Sequence, residues 1–228
     1  MLLGLVLDWV FGDPPALWRR IPHPVALIGR GLDRLAAYRL SGVTSMIDII
    51  QGAVALALML GLVLAIVLGL VWLLREALMV ALGDDRSWMF AWVWLLVEAL
   101  LIWPWLAWHS LFYHVRAVAD GLDQAGSEQA SLEQADLEQA NLEQARLKDG
   151  QAALAHIVGR DVTRLDKEGV ARAACESLAE NYSDGVLAPI FWYLVGGLPG
   201  LVLYKAVNTA DSMWGYRSQS WLYFGRIA

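Results

Sequence analysis

The stretch from Ile49 to Leu74 carries no charged residue and is longer than the roughly 20 apolar residues a helix needs to cross a bilayer. A helix that is apolar on every side must be buried in protein or in lipid, and a run of this length commits the chain to lipid. Ser87–Trp108 is a second apolar stretch, with one carboxylate, Glu98, inside it. Val186–Tyr204 is a third, interrupted by Gly196-Gly-Leu-Pro-Gly200. Composition agrees: 58% of the 228 residues are hydrophobic and only 18% are charged, against about 25% charged in soluble domains. The expected fold is all-α, a polytopic integral membrane protein forming one membrane domain over residues 1–228, with a cytoplasmic helical insert and the lipid bilayer as its surroundings.

The order of segments follows from these runs. Residues 1–46 mix polar and apolar positions, are rich in turn residues, and carry Arg19, Arg20, Arg30, Arg34 and Arg39. Residues 49–74 and 87–108 are the transmembrane helices. The loop between them has Arg75 and Arg86 against Glu76, Asp84 and Asp85. Basic residues favour the cytoplasmic side, which places the N-terminus in the cytoplasm and this loop outside. The first apolar run, Met1–Leu7, is short and lacks a basic flank, so no cleavable signal is expected. Trp103, Trp105 and Trp108 suit an interfacial aromatic belt.

Residues 109–185 read as the cytoplasmic insert. A period-five repeat at 130–149 (Ala-Ser-Leu-Glu-Gln, Ala-Asp-Leu-Glu-Gln and two further units) rotates successive leucines by about 140° on a helix, so they share no face. Its Ala, Leu, Glu and Gln favour a solvated, partly helical spacer. A helix is expected from Arg164 to Glu180, started by Thr163 with Asp166 and stopped at Asn181. Residues 186–204 form either a kinked span or a re-entrant pair of half-helices. Residues 205–228 hold a polar motif and the end of the sequence.

Several classes are excluded. There is no basic stripe or aromatic motif for nucleic acid. Cys175 is the sole cysteine, so no internal disulfide or cysteine-based zinc site forms. No Walker loop and no Gly-x-Ser-x-Gly elbow is present.

Two polar clusters border the third apolar run, and polar groups beside such a run are costly unless paired, solvated or used. Glu176, Glu180 and Asp184 recur at spacing four; their oxygens could hold magnesium, which takes carboxylates, water and substrate phosphate, or could be a salt-bridged helix surface. Arg160 beside Asp161 could bind phosphate or pair with a carboxylate. Asn208, Asp211 and Ser212, with Lys205 a turn earlier, offer donors and acceptors in a short arc, or cap a helix at the interface. His23, between Pro22 and Pro24, sits in rigid backbone near Asp13. Glu98, inside a span, is a functional candidate or a neutral acid facing another helix.

These motifs together resemble one family. Asp8 through Gly12-Asp-Pro14, Pro22-His-Pro-Val25 with Ile28-Gly29, Val158-Gly-Arg-Asp161, Glu176-Ser-x-x-Glu-Asn181, Ser183-Asp-Gly185, Ala188-Pro189, Gly196-Gly197, Tyr204-Lys-Ala-Val-Asn-Thr-x-Asp-Ser-Met213 and Gly215-Tyr-Arg217 run in order over nearly the whole sequence. The series resembles the adenosylcobinamide-phosphate synthase family of cobalamin biosynthesis (CobD/CbiB). The resemblance implies a multi-pass enzyme of the bacterial inner membrane. It would join aminopropanol, or its phosphate, to adenosylcobyric acid by amide ligation with ATP and magnesium. Under it, Glu176, Glu180 and Asp184 take metal or base roles, with Asp211 a further catalytic group. Arg160, Lys205 and Arg217 hold phosphate or carboxylate, and Asn181, Asn208 and Ser212 orient the reactants. Asp161 completes the binding set, and His23 and Asp13 close the pocket. Family members run several tens of residues further, so the chain is expected to be C-terminally truncated and its own activity open. The other readings are a corrinoid-binding or transport-associated membrane protein without ligase chemistry, an inactive fragment of the ligase, and a non-catalytic sensor on the same scaffold.

Overall fold

In the computed structural model residues 1–39, 45–83, 87–123, 135–159, 161–215 and 221–228 are described, and among them there is helix and no strand. The chain divides into two units, Met1–Ala107 with Asp184–Ala228, and Trp108–Ser183.

The first unit begins with α1 (Leu2–Phe11), α2 (Pro15–Trp18) and α3 (Pro24–Ala37). Of the prolines that make 1–46 look turn-rich, Pro15 and Pro24 stand in first turns, where a missing N–H is not needed. They start helices instead of interrupting them. At the head of α3 the His23 Nδ1 accepts the Val25 N–H at 3.3 Å, a side-chain cap.

The uncharged run lies within α4 (Ser45–Leu82), which extends past it at both ends and is about 57 Å long. Asp48 lies in its first turn, where the helix dipole favours a carboxylate. That carboxylate is buried and paired with Arg39, whose Nε and Nη2 donate at 2.6 and 2.5 Å. Along α4, Gly52, Ala55, Leu56, Met59, Val63 and Val67 recur every three or four residues and are buried. Val54, Leu58, Leu62 and Ile66 form an exposed apolar row, the face for lipid. α5 (Ser87–Ile102) ends in a 3-10 turn at Trp103–Trp105. The Trp103 Nε1 donates to the Gly12 carbonyl at 2.9 Å, tying the α5 end to the end of α1.

By length and composition three helical runs can cross a membrane: Ser45–Leu82, Trp88–Leu122 and Lys167–Trp214. The third contains α9 (Ala188–Trp214), and α9 is not straight. Gly196 (φ −132°, ψ 16°) and Gly197 (φ 61°, ψ −155°) leave helical geometry. A Cβ placed on Gly200 would lie 2.4 Å from the Trp192 carbonyl oxygen. Residues eight apart on a straight helix are about 12 Å apart along the axis. The chain therefore reverses, and of the two arrangements open to 186–204 the structure has the hairpin. Its arms, 188–195 and 198–214, are about 12 and 25 Å long, each short of a hydrocarbon core of about 30 Å. Pro199 sits in the first turn of the second arm, where it costs no hydrogen bond. Leu198, Leu201, Val202, Ala206 and Ala210 of that arm are buried in the core to which α4 contributes.

The second unit has α6 (Trp108–Asp123), α7 (Ala135–Leu154) and α8 (Lys167–Tyr182) around Val118, Leu122, Leu154, Val170 and Ala173. The repeat from residue 135 onward is helical, as its composition predicts; positions 130–134 lie outside the described residues. α8 starts later than expected. Asp166 is its cap, with Oδ1 accepting the Gly169 N–H at 2.8 Å. Thr163 turns the other way, its hydroxyl donating to Asp161 at 2.7 Å. The turn expected at 183–185 is a π-helical turn, Ser183–Leu187.

If the reversal rests on Gly197 and Gly200, alanine at either will lower the melting temperature of the detergent-solubilised chain, at a cost of about 1–3 kcal/mol. Gly196→Ala, with negative φ and open space around it, will cost about 0.5 kcal/mol or less. Equal melting of all three variants would remove the glycine basis of the hairpin.

Candidate functional site at the mouth of the hairpin

The reversal returns the second arm to the residue where the first begins. Asp184 lies in the π-helical turn Ser183–Leu187, a geometry that recurs at functional sites. The turn is pinned by Ala107, whose N–H donates to the Gly185 carbonyl at 3.1 Å. Asn208 Nδ2 donates to Asp184 Oδ2 at 3.0 Å, although the residues are 24 apart in sequence. The Tyr204 hydroxyl lies 3.4 Å from Asp184 Oδ1 and 3.5 Å from its carbonyl, so its single proton serves one of them loosely. Lys205 Nζ donates to that same carbonyl at 3.4 Å. All four side chains are partly buried.

The arrangement places a carboxylate, an ammonium, a phenol and an amide within one mouth. The ammonium has three donors, and its hydrogen-bond partner among the described residues is one carbonyl. It is suited to a phosphate or carboxylate. Asp184, held by Asn208, can accept a proton or bind a cation.

The remaining expected residues lie in both units. Asp211 and Ser212 are exposed on the second arm, where the Ser212 hydroxyl donates to the Asn208 carbonyl at 2.9 Å. Thr209 back-bonds in the same way to the Lys205 carbonyl at 2.6 Å. In the N-terminal segment, Asp13 accepts from Trp18 Nε1 at 3.2 Å and lies 3.6 Å from His23 Nε2. With Nδ1 capping α3 and Nε2 facing Asp13, His23 has both nitrogens engaged in local structure. In the second unit, Glu176 and Glu180 are exposed on α8. Asn181 Nδ2 donates to the Ser177 carbonyl and hydroxyl at 2.8 and 3.0 Å. Asp161 accepts the Thr163 hydroxyl and N–H, which hold its carboxyl below the ordinary carboxylate range. Arg160 and Arg217 lie outside the described residues. Among the described residues no group of three or more His, Cys, Asp and Glu comes together as a metal site.

The sequence reading missed Tyr204, which stands inside the Tyr204–Met213 motif one turn before Asn208 and could have been found by that spacing. It also passed over Arg39 with Asp48. Glu98, noted as an acid inside a span, lies beside the Tyr193 hydroxyl of the first arm.

The Asp184–Asn208 pair closes the hairpin, so Asn208→Asp will set two carboxylates against each other and destabilise the chain by about 1–3 kcal/mol. Adding Asp184→Asn rebuilds an amide–carboxylate pair and will restore most of the loss, read as melting temperature in detergent. A double variant no more stable than the single one would show that the bond does not hold the arms.

The family described as "CobD/Cbib protein" matches residues 1–228. A relative from Sinorhizobium sp, named "Cobalamin biosynthesis protein CobD", is 41% identical over 99% of this chain and 60% of its own length. Proteins of the same name from Brucella anthropi and Rhodobacter capsulatus are 40% and 36% identical, over 59% and 60% of their lengths. The chain thus spans about 60% of the length of the curated relatives it matches. No solved structure matches it.

Proposed function

The chain belongs to the CobD/Cbib protein family, and from that premise we propose that it serves cobalamin biosynthesis as the membrane-bound amide ligase of corrinoid assembly. The substrates in this reading are adenosylcobyric acid and aminopropanol or its phosphate, and the product is adenosylcobinamide or its phosphate. The observation that carries it is the Asp184–Asn208–Lys205–Tyr204 group, in which a carboxylate and an ammonium share a mouth. The location proposed is the bacterial inner membrane, with the N-terminus in the cytoplasm, on the arginine distribution of 1–46.

An amide cannot form from a free carboxylate at neutral pH without activation. ATP with magnesium would supply that activation, its terminal phosphate giving the carboxylate oxygen a leaving group while ADP is released. Magnesium carried on nucleotide phosphates would need one or two protein carboxylates, and Glu176 and Glu180 are the ones proposed, which leaves Asp184 as the base. The chain's own residues have simpler tasks. Lys205 binds the anionic end of a substrate. Asn208 orients Asp184, and Asp184 takes the proton that the amine sheds as the carbon–nitrogen bond forms and phosphate departs. Asp211 and Ser212 line the same arm and contact the bound substrate.

The test is complementation. The 228-residue chain, expressed in a bacterium lacking its own adenosylcobinamide-phosphate synthase, is expected to restore cobalamin-dependent growth on cobyric acid. Asp184→Ala and Lys205→Ala, at wild-type abundance in the membrane, will lower ligation at least about 100-fold, and Glu180→Ala and Asp211→Ala will also abolish growth. Failure of the wild-type chain, with growth on cobinamide intact, overturns ligase activity in these residues. Full activity of the Asp184 and Lys205 variants overturns the assignment of the site.

A further inference from the structure

The second unit holds a chain of hydrogen bonds that the proposed chemistry does not use. Residues 155–166 join α7 to α8, and both helices send side chains to the carbonyls of that connection. From α7, Gln151 Nε2 donates to the Thr163 and Leu165 carbonyls at 3.3 and 2.8 Å. From α8, the buried Ser177 donates its hydroxyl proton to the Ile157 carbonyl at 2.9 Å. Ile157 lies just past the end of α7, where its N–H and that of Val158 both bond back to the Leu154 carbonyl. Carbonyls at a helix end lack partners within the helix, and Ser177 supplies one.

Asn181 fixes the direction of the protons. Its side chain meets the Ser177 carbonyl at 2.8 Å and the Ser177 hydroxyl at 3.0 Å. A carbonyl only accepts, so the atom facing it is the amide nitrogen and not the amide oxygen. The other amide proton goes to the hydroxyl oxygen. A hydroxyl has one proton to give, and with Asn181 donating to it that proton is left for Ile157. Without Asn181 the hydroxyl is free to turn back to the carbonyl one turn earlier on α8, a bond that serine makes within helices.

The connection is thus held at Ile157 by α8 and at Thr163 by α7. Between them stands the exposed Asp161, whose Oδ1 accepts the Thr163 N–H and hydroxyl at 3.0 and 2.7 Å. Ser177 and Asn181 therefore tie the 176–181 motif to the 158–161 motif, while Glu176 and Glu180 beside them are exposed. We propose that Asn181 is a positioning residue: it touches no reactant, and by holding the Ser177 proton on the Ile157 carbonyl it fixes the connection that carries Asp161. Asp161 meets substrate only on the ligase reading, on which the positioning role rests; the relay itself does not depend on it.

The test is a double-mutant cycle on the full 228-residue chain in detergent, read by hydrogen exchange over residues 157–163 and by the KM of ligation for aminopropanol phosphate. Ser177→Ala and Asn181→Ala are each expected to speed exchange about tenfold. The double variant will exchange no faster than Ser177→Ala alone, because Asn181 acts through that hydroxyl. Asn181→Asp has the same size but cannot donate; it draws the hydroxyl proton to itself and will speed exchange at least as much as Asn181→Ala. KM will follow the same non-additive pattern, with kcat within about twofold of wild type. Wild-type exchange in either alanine variant, effects that multiply in the double variant, or wild-type exchange in Asn181→Asp would each overturn the relay. Non-additive exchange with additive losses of ligation would overturn the positioning role and put Asn181 on the substrate. Exchange decides the relay whether or not the wild-type chain ligates, so the relay and the ligase reading fail separately.

Discussion

The reversal at Gly196–Gly197 is where the first unit departs from a row of simple spans, and the candidate site depends on it. Backbone that leaves the helix inside an apolar medium is tolerated only where protein or water meets its polar groups. The chain meets this condition with two glycines at the tip, a proline placed where no N–H is required, and a second arm with small residues on its buried side. Gly200, Ala206 and Ala210 allow backbones to approach, which is how helices associate when lipid tails are as apolar as the side chains. Leu201 and Val202 then join Leu56 and Met59 of α4 in one buried core.

The cost of polar groups in such surroundings explains their pairing. Asp48 is almost fully buried, and Arg39 meets it with two hydrogen bonds. Removing either partner would leave a charge without compensation, a far larger penalty than the pair's net worth. Asp184 is handled differently: one amide bond, one loose phenol and an ammonium that touches its carbonyl leave it partly unsatisfied. The contrast separates a structural pair from a group with capacity to bind something else.

Much of this was legible in sequence, for physical reasons that differ by element. A long uncharged run has one solution in water and lipid, so α4 was readable, although its ends were not, because the run is bounded by Asp48 and Arg75-Glu76 while the helix continues past these charges. The prolines of 1–46 signal a break or a start equally well, and only Trp103 reaching the Gly12 carbonyl and the packing of Ile28 and Leu32 show that they start helices. The alternatives at 186–204 stayed open because Gly196-Gly-Leu-Pro-Gly200 announces a break without its direction. Direction is set by a contact 24 residues apart, Asp184 with Asn208, which no local periodicity contains. Residues of the site were named by their chemistry; Tyr204 was missed because a tyrosine beside an apolar run reads as an interfacial anchor.

The hairpin also limits how the site is reached. Because the second arm returns to Asp184, the Asp184 carboxylate and the polar groups of Tyr204, Lys205 and Asn208 open at one end of the hairpin. The short arms follow from the same requirement: a full span would carry Asn208 to the opposite face from Asp184 and leave each polar group alone against lipid. Pairing across the mouth relieves that penalty and assembles the binding groups in one step. In this architecture, the hydrogen bonds that close the reversal also bring the groups of the candidate site together.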